Sequence, residues 1–297
     1  GTKSASQEHR DKYGFRTRFR VLPRCFGKYR FQNEHFFCAE IEEIVTGNNT
    51  MTHEEYLDCR ALHLTVETFH NDSIFLDLAQ FLGRQGIKRS EFIEAIRDRV
   101  FTDAPGIQKL YEGFRKEEQK NTWESYDMLD AFLRQDGCID KYISGEYGTN
   151  ELYKYRALAV FEHLPALHDL AYGAAYSLLA GYNRLTDEAK SYLSELKEFS
   201  LLRKLAPLDT KQATRRVFHY DFPALLERMF EADPAAFRFP DGVEIEILHT
   251  DQQRELIEGY IKQYTTTHIG LSRILLRANM NRLYRTARKV IHAESFA

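Results

Sequence analysis

Residues 39–75 read AEIEEIVTGNNTMTHEEYLDCRALHLTVETFHNDSIF, and here a strand pattern gives way to a long helix pattern. Thr52 and Glu55 form a capping box, because the threonine hydroxyl can accept from the third helical amide while the glutamate reaches back. Apolar side chains then recur every three or four positions, at Tyr56, Cys59, Leu62, Val66 and Phe69. The stretch therefore predicts a strand that ends near residue 43 and a helix that begins near residue 52.

Helical periodicity continues through most of the following chain, with Pro and Gly scarce inside the periodic segments. These predicted helices span 74–82, 90–100, 106–118, 126–134, 151–180 and 187–205. Pro165 is expected to break the fifth of them, since proline cannot continue a helix. Residues 49–205 are thus predicted to form one helical domain.

A period of two at the N-terminal end predicts a small β element over residues 1–48. Residues 15–21 form a strand with Arg16, Arg18 and Arg20 on one face. Residues 28–31 and 35–44 predict two more strands, joined by a turn at 32–34.

Residues 206–297 predict a small α+β module with a hairpin and terminal helices. A strand at 215–220 is followed by a hairpin, 237–239 with 243–248, around the turn residues 240–242. Helices are expected at 250–266, behind the second capping box Thr250 and Gln253, and at 269–280. The predicted fold class is mainly α: a multi-helical body with a small N-terminal β element and a small C-terminal α+β module.

Composition points to the cytoplasm. No apolar run reaches the ~18 residues of a membrane span, and no signal peptide is visible, so we expect no membrane association. Four scattered cysteines favour a reducing compartment. The net charge is −3, yet residues 1–30 and 271–290 are strongly basic. Such ends suit nucleic acid or ion pairs with the acidic middle, and we favour ion pairs because no nucleic-acid-binding motif is present.

Two groups of residues are candidate sites. His63, Glu67 and His70 share a face of the first long helix and include half of a di-iron motif, but no second Glu-x-x-His helix completes it. The alternative is a His–Glu pair that lines a helix contact. Glu40 and Glu42 lie on one strand face, about 7 Å apart. They suit acid–base chemistry, but we favour pairing with the basic face of residues 16–20.

The residues that carry a family resemblance are AEIEEI, the helix text EEYLDCRALHLTVE and the break FHND, together with RFRVLPRCFGKYRF at 18–31 and YISGEYGTN at 142–150. They resemble the region that follows the catalytic barrel in cobalamin-binding radical S-adenosylmethionine enzymes. In that family a four-iron cluster is bound by C-x3-C-x2-C. This chain departs from the pattern, since its closest cysteines, Cys25 and Cys38, are 13 positions apart. The family's cobalamin motif, D-x-H-x-x-G, is also missing.

The resemblance implies that this chain is the C-terminal helical region of such an enzyme. That region would dock on or cap a catalytic barrel that this chain lacks, and it would not be catalytic alone. The cluster, S-adenosylmethionine and cobalamin would belong to upstream domains, which are the expected partners, and we expect no cofactor in this chain. An uncovered strand element could also self-associate. A stand-alone helical interaction module and, more weakly, a nucleic-acid binder remain alternatives. The residues of this chain assign it no reaction.

Overall fold

The computed structural model describes residues 3–147 and 150–290, without the side chains of Ser4 and Asp72. Within this part of the chain the fold is mainly α, as predicted, with thirteen α-helices and two small antiparallel sheets. The helices are α1 (Gln7–Tyr13), α2 (His53–Phe69), α3 (Leu76–Arg84), α4 (Arg89–Asp103), α5 (Pro105–Lys120), α6 (Tyr126–Leu133), α7 (Cys138–Ser144), α8 (Glu151–Glu162), α9 (Leu164–Gly181), α10 (Asp187–Lys204), α11 (Phe222–Glu227), α12 (Asp251–Tyr264) and α13 (His268–Arg277). The strands are β1 (Arg16–Phe31), β2 (Glu34–Gly47), β3 (Ala213–Tyr220), β4 (Arg238–Leu248) and β5 (Thr286–Lys289).

Contacts between residues divide the chain into two units. The first contains Gly1–His63 and Tyr111–Tyr155, and the second contains Leu64–Leu110 and Arg156–Ala297. The three domains expected from the sequence, 1–48, 49–205 and 206–297, stay a prediction. None of the described helices is both long and apolar enough to cross a membrane.

The first unit is built on one long hairpin of β1 and β2. Two of the three predicted strands merge into β1, because pairing with β2 resumes after a register shift between Val21 and Phe26. The chain reverses at residues 32–33, where Gln32 has a φ of 56°. β2 also runs past its predicted end, since Val45 and Gly47 still pair with Thr17 and Arg16.

One hydrophobic cluster of the first unit lies where α6 and α7 cover the hairpin. Its buried residues are Val21, Leu129, Cys138 and Tyr142. Phe19 belongs to its partly buried edge and exchanges two backbone hydrogen bonds with Trp123, at 2.8 and 2.7 Å. Helices within the unit therefore cover the middle of the hairpin.

In the second unit, β4 is the central strand of a three-stranded sheet, between β3 and β5. The hairpin predicted around residues 240–242 is wrong, because both of its arms belong to β4 and pair with β3. Val243 faces Phe218, and Arg238 faces Tyr220, so the residues between them form an irregular excursion. Gly242, with a φ of 77°, permits this backbone path, which a residue with a side chain rarely adopts.

The helical part of the second unit is centred on α9. The break predicted at Pro165 is confirmed, since α8 ends at Glu162 and α9 begins at Leu164 with the proline in its first turn. α9 packs against α4, α10 and α3, which explains why so much of its surface is buried and apolar.

Candidate functional site

Of the candidate metal residues, His63 and Glu67 lie on α2 and are already engaged in salt bridges or other polar contacts, whereas His70 follows the end of the helix. Glu67 forms an ion pair with Arg156 at 2.9 Å, and both side chains are largely buried. His63 Nδ1 lies 3.1 Å from Arg60 Nη1, and His70 is exposed. Among the described residues, no group of three or more His, Cys, Asp or Glu side chains is arranged to hold a metal ion. The Glu67 carboxylate serves as a counter-ion in this structure.

The acidic strand pairs with arginines, and the predicted contact between the two strands is confirmed for one pair. Arg20 Nε donates to Glu42 Oε1 at 2.5 Å. Glu43, one position further on, accepts from Arg10 at 2.7 Å, and this hydrogen bond lowers its carboxyl pKa to about 2. Glu40 is exposed, and its predicted pairing with the basic face is not among the described ion pairs. The acid–base role considered for Glu40 and Glu42 therefore lacks a paired carboxylate site, because Glu42 is neutralised by Arg20.

A buried carboxylate pair that the sequence did not reveal lies in the first unit. Arg60 holds Glu118 with two hydrogen bonds, at 2.9 and 2.6 Å. Glu151 is also buried and accepts from Asn121. Burial raises the pKa of the Glu151 carboxyl, and the nearby charge of Glu118 raises it further. Arg60 thus neutralises Glu118, while the carboxyl of Glu151 is biased toward its protonated form.

A second buried group, the Lys204 network, lies in the second unit and consists of Lys204, Asp77, Ser200 and His168. Lys204 Nζ donates to Asp77 Oδ2 at 2.8 Å and to Ser200 Oγ at 2.7 Å. His168 Nδ1 lies 3.0 Å from the carbonyl oxygen of Leu164, which only accepts, so Nδ1 carries the proton. Nε2 then accepts from Ser200 Oγ at 3.0 Å.

The Lys204 network contains a serine–histidine contact, but its burial prevents a substrate from reaching it. His168 and Ser200 are 0% exposed, and Asp77 and Lys204 are 2% and 4% exposed. Burial, followed by the positive charge of Lys204, lowers the pKa of His168 to about 3, so the imidazole is neutral near pH 7. The network is structural. A lone aspartate inside the apolar run at residues 74–82 was the sequence signal that could have indicated it.

The surface best suited to binding is the aromatic end of the hairpin, defined as Tyr29, Phe31, Phe36 and Phe37. Their exposed fractions are 54%, 64%, 46% and 44%. Tyr29 and Phe36 are direct cross-strand partners, and Phe31 lies on the same strand face by the period of two. Phe37 lies on the other face, where Lys28 Nζ sits 4.8 Å from its ring centre.

A groove adjoins the aromatic end within the first unit. It has a volume of about 550 Å³ and lies between residues 35–39 of β2 and residues 130–139 of α6 and α7. Its walls include Phe36 and Leu133 on the apolar side and Asp130 and Arg134 on the polar side. An aromatic knob beside a groove of mixed polarity is a typical protein-binding arrangement.

The sequence predicted the uncovered aromatic end only in part. Five phenylalanines of the β element were expected to be partly covered by helices. Phe15, Phe19 and Phe26 are half-buried, whereas Phe31 and Phe36 are exposed. Phe31 and Phe36 stay exposed because each strand continues for several residues after the cluster around Val21 and Phe26.

No protein-family profile matches the chain, and no curated protein matches it significantly.

Proposed function

We propose that this chain is the mostly helical, non-catalytic module of a cobalamin-binding radical S-adenosylmethionine enzyme, and that it docks on the catalytic barrel through the aromatic end of the hairpin. The exposure of Tyr29, Phe31 and Phe36 on one strand face is the observation that carries the proposal. The resemblance at residues 18–31 and 39–75 supports it, because those residues form most of the hairpin and all of α2.

The size of the surface supports an interface. A buried aromatic side chain removes roughly 150–250 Å² from water, so the three that share one strand face, each about half exposed, present roughly 300 Å². This lies within the range of apolar patches that are often functional on monomers. A stable interface buries about 800 Å² on each partner, so the adjoining groove must contribute as well.

The arginines of the hairpin favour a protein partner over nucleic acid. Arg20 is paired with Glu42, and the Arg10 guanidinium with Glu43, so part of the basic surface is already neutralised within the chain. Phosphate binding depends on cations that are free to displace counter-ions. The acidic partners Glu42 and Glu43 leave fewer free cations on the hairpin for such binding.

The native polypeptide tests this proposal directly. We expect the intact mass of the native polypeptide to exceed the mass of this chain by that of several hundred residues. The additional sequence should contain a C-x3-C-x2-C motif. Amine cross-linking of that polypeptide should connect Lys28, beside Phe37, to the barrel. A native product without the cluster motif would favour the stand-alone interaction module, and a longer product with no cross-link from Lys28 would move the docking surface elsewhere.

Substitutions test whether docking depends on the aromatic end of the hairpin or on any exposed aromatic side chain. Phe31→Ser with Phe36→Ser should abolish docking of the chain on a separately produced barrel domain. Phe101→Ser is the matched control, since Phe101 is 53% exposed on α4 in the other unit. Equal binding by the hairpin variant and the control would contradict docking through the aromatic end.

A further inference from the structure

A second feature of the first unit lies at the base of the hairpin, opposite its aromatic end along the strands. There a pocket of about 240 Å³, the hairpin-base pocket, is lined by the start of β1, the end of β2 and the first residue of α2. Its polar side chains include Arg16, Arg18, Thr46, His53 and Glu124. All of these residues belong to the same unit.

His53 is the unusual member of the hairpin-base pocket. Both of its ring nitrogens are buried, and neither has a hydrogen-bond partner among the described residues. Its ring stacks on Tyr56, with centroids 6.0 Å apart and planes at 14°. A neutral imidazole always carries one donor and one acceptor, so leaving both unused is unfavourable unless a ligand engages one of them.

Two arginines supply positive charge beside His53. Arg16 Nη2 donates to the carbonyl oxygen of Asn48 at 2.7 Å and lies 3.4 Å from that of Met51, so these carbonyls hold the guanidinium in place. The remaining donors of Arg16 have no described partner. Gly47 keeps the space beside them open, because a Cβ at that position would lie 3.3 Å from Arg16 Nε.

Arg18 is only loosely neutralised. Its Nη2 lies 3.8 Å from Glu124 Oε1, beyond hydrogen-bond range, and the glutamate side chain is 76% exposed. This differs from Arg20 and Arg10, whose carboxylate partners are in direct contact. Glu124 therefore acts as a weak, displaceable counter-ion at the pocket.

We propose that the hairpin-base pocket binds a small oxyanion, a phosphate or carboxylate group, held by Arg18 and Arg16 with a hydrogen bond from His53. The guanidinium groups match the geometry of either oxyanion. The imidazole donates from whichever nitrogen is protonated, which satisfies one of its two buried atoms. Glu124 competes for Arg18 when the pocket is empty.

Titration with inorganic phosphate, phenyl phosphate and acetate tests the proposal on the full chain. The readouts are calorimetry and the imidazole NMR signals of His53, assigned with His53→Phe, which keeps the stacking on Tyr56. We expect binding in the millimolar range or tighter for at least one probe. Preference for the phosphates identifies a phosphate group as the ligand, and preference for acetate identifies a carboxylate. No saturable shift with any probe would overturn the site.

Three variants locate the binding. Arg18→Gln should weaken it about tenfold or more, because a charge-assisted hydrogen bond is lost. Glu124→Gln should strengthen oxyanion binding several-fold, because the competing carboxylate is removed. Since Glu124 is exposed, this variant still tests the pocket if Arg18→Gln folds poorly. Arg97→Gln removes a positive charge from an exposed pair with Asp98 and should leave binding unchanged. Equal affinities in all three variants would show nonspecific ion binding and refute the pocket.

Discussion

Replacement of Lys204 by methionine should be among the most destabilising single changes in the second unit. The side chain of Lys204 is 5% exposed and that of its partner Asp77 is 2% exposed. Methionine fills a similar volume but removes the ammonium that donates to Asp77 at 2.8 Å and to Ser200 at 2.7 Å. Asp77 then retains its hydrogen bond from the Leu78 amide but loses the ammonium that forms its direct ion pair.

The magnitude follows from this burial. Removal of one partner from a buried ion pair costs about 3–5 kcal/mol, because the other charge remains without solvation or a counter-ion. An exposed pair of the same residue types contributes only about 0.2–1 kcal/mol. Lys197 and Asp169 provide that comparison, since Lys197 also lies on α10 and its partner is 72% exposed. We therefore expect Lys204→Met to cost at least 2 kcal/mol more than Lys197→Met, as an order of magnitude.

Urea unfolding at pH 7.5, followed by circular dichroism, measures both variants. Asp77→Asn combined with Lys204→Met removes both charges, so the double variant should lose less stability than the two single losses combined, by roughly 2 kcal/mol. A Lys204→Met variant no less stable than Lys197→Met would refute the reasoning, as would strictly additive effects in the double variant.

The pH dependence gives an independent check. Burial alone raises the pKa of Asp77, but the charge of Lys204 reverses the effect and holds the pKa below its ordinary value. Without Lys204 the effect of burial outweighs the remaining hydrogen bond from the Leu78 amide, so the folded variant should take up a proton at a higher pH than the unfolded chain. Its stability relative to wild type should then recover as pH falls, by up to about 1.4 kcal/mol per pH unit.

Three further predictions can be tested on the same protein. The pKa of His168 is lowered to about 3, so the unfolded chain binds a proton below pH 6.5 that the folded chain does not. The free energy of unfolding should therefore fall by up to ~1.4 kcal/mol per pH unit toward pH 4. His168→Gln should remove that part of the slope in urea unfolding. Thiol reagents followed by mass spectrometry should label the exposed Cys38 and Cys59 first and the buried Cys138 only on unfolding, and early labelling of Cys138 would contradict its place in the core. Anaerobic reconstitution should leave this chain without a stoichiometric iron–sulfur cluster, because its cysteines lack the cluster spacing, and near-stoichiometric iron and sulfide would prove this wrong.

Local signals in the sequence predicted much of the secondary structure. The capping boxes at Thr52 and Thr250 are both formed, and each closes a helix start within one turn. The alternation at residues 15–21 predicts a strand correctly as well. In both cases the residues that determine the structure lie within a few positions of each other in the sequence. α1 was not predicted, although Ser6 caps its start and Gly14 its left-handed end.

Features that depend on distant partners were not predicted. β5, with the sequence TARK, has no strand pattern of its own and forms because β4 offers an edge to pair with. The excursion in β4 was mistaken for a hairpin because residues 240–242 have turn chemistry, whereas β3 decides the pairing of both flanks. Lys204 and Asp77 are 127 positions apart, so no local pattern distinguishes this buried pair from exposed charges on a helix.

The hairpin shows how one charge pattern produces two kinds of site. Arg16, Arg18 and Arg20 are equivalent in the sequence, since they alternate along one strand. Their environments differ because β2 places Glu42 opposite Arg20, whereas Arg18 faces Ile44 and finds only a distant glutamate. Arg20 is therefore neutralised, and Arg18 keeps charge available for a ligand. Cross-strand register thus decides which arginine of a uniform basic face can bind an anion, and register is the property that alternation alone leaves open.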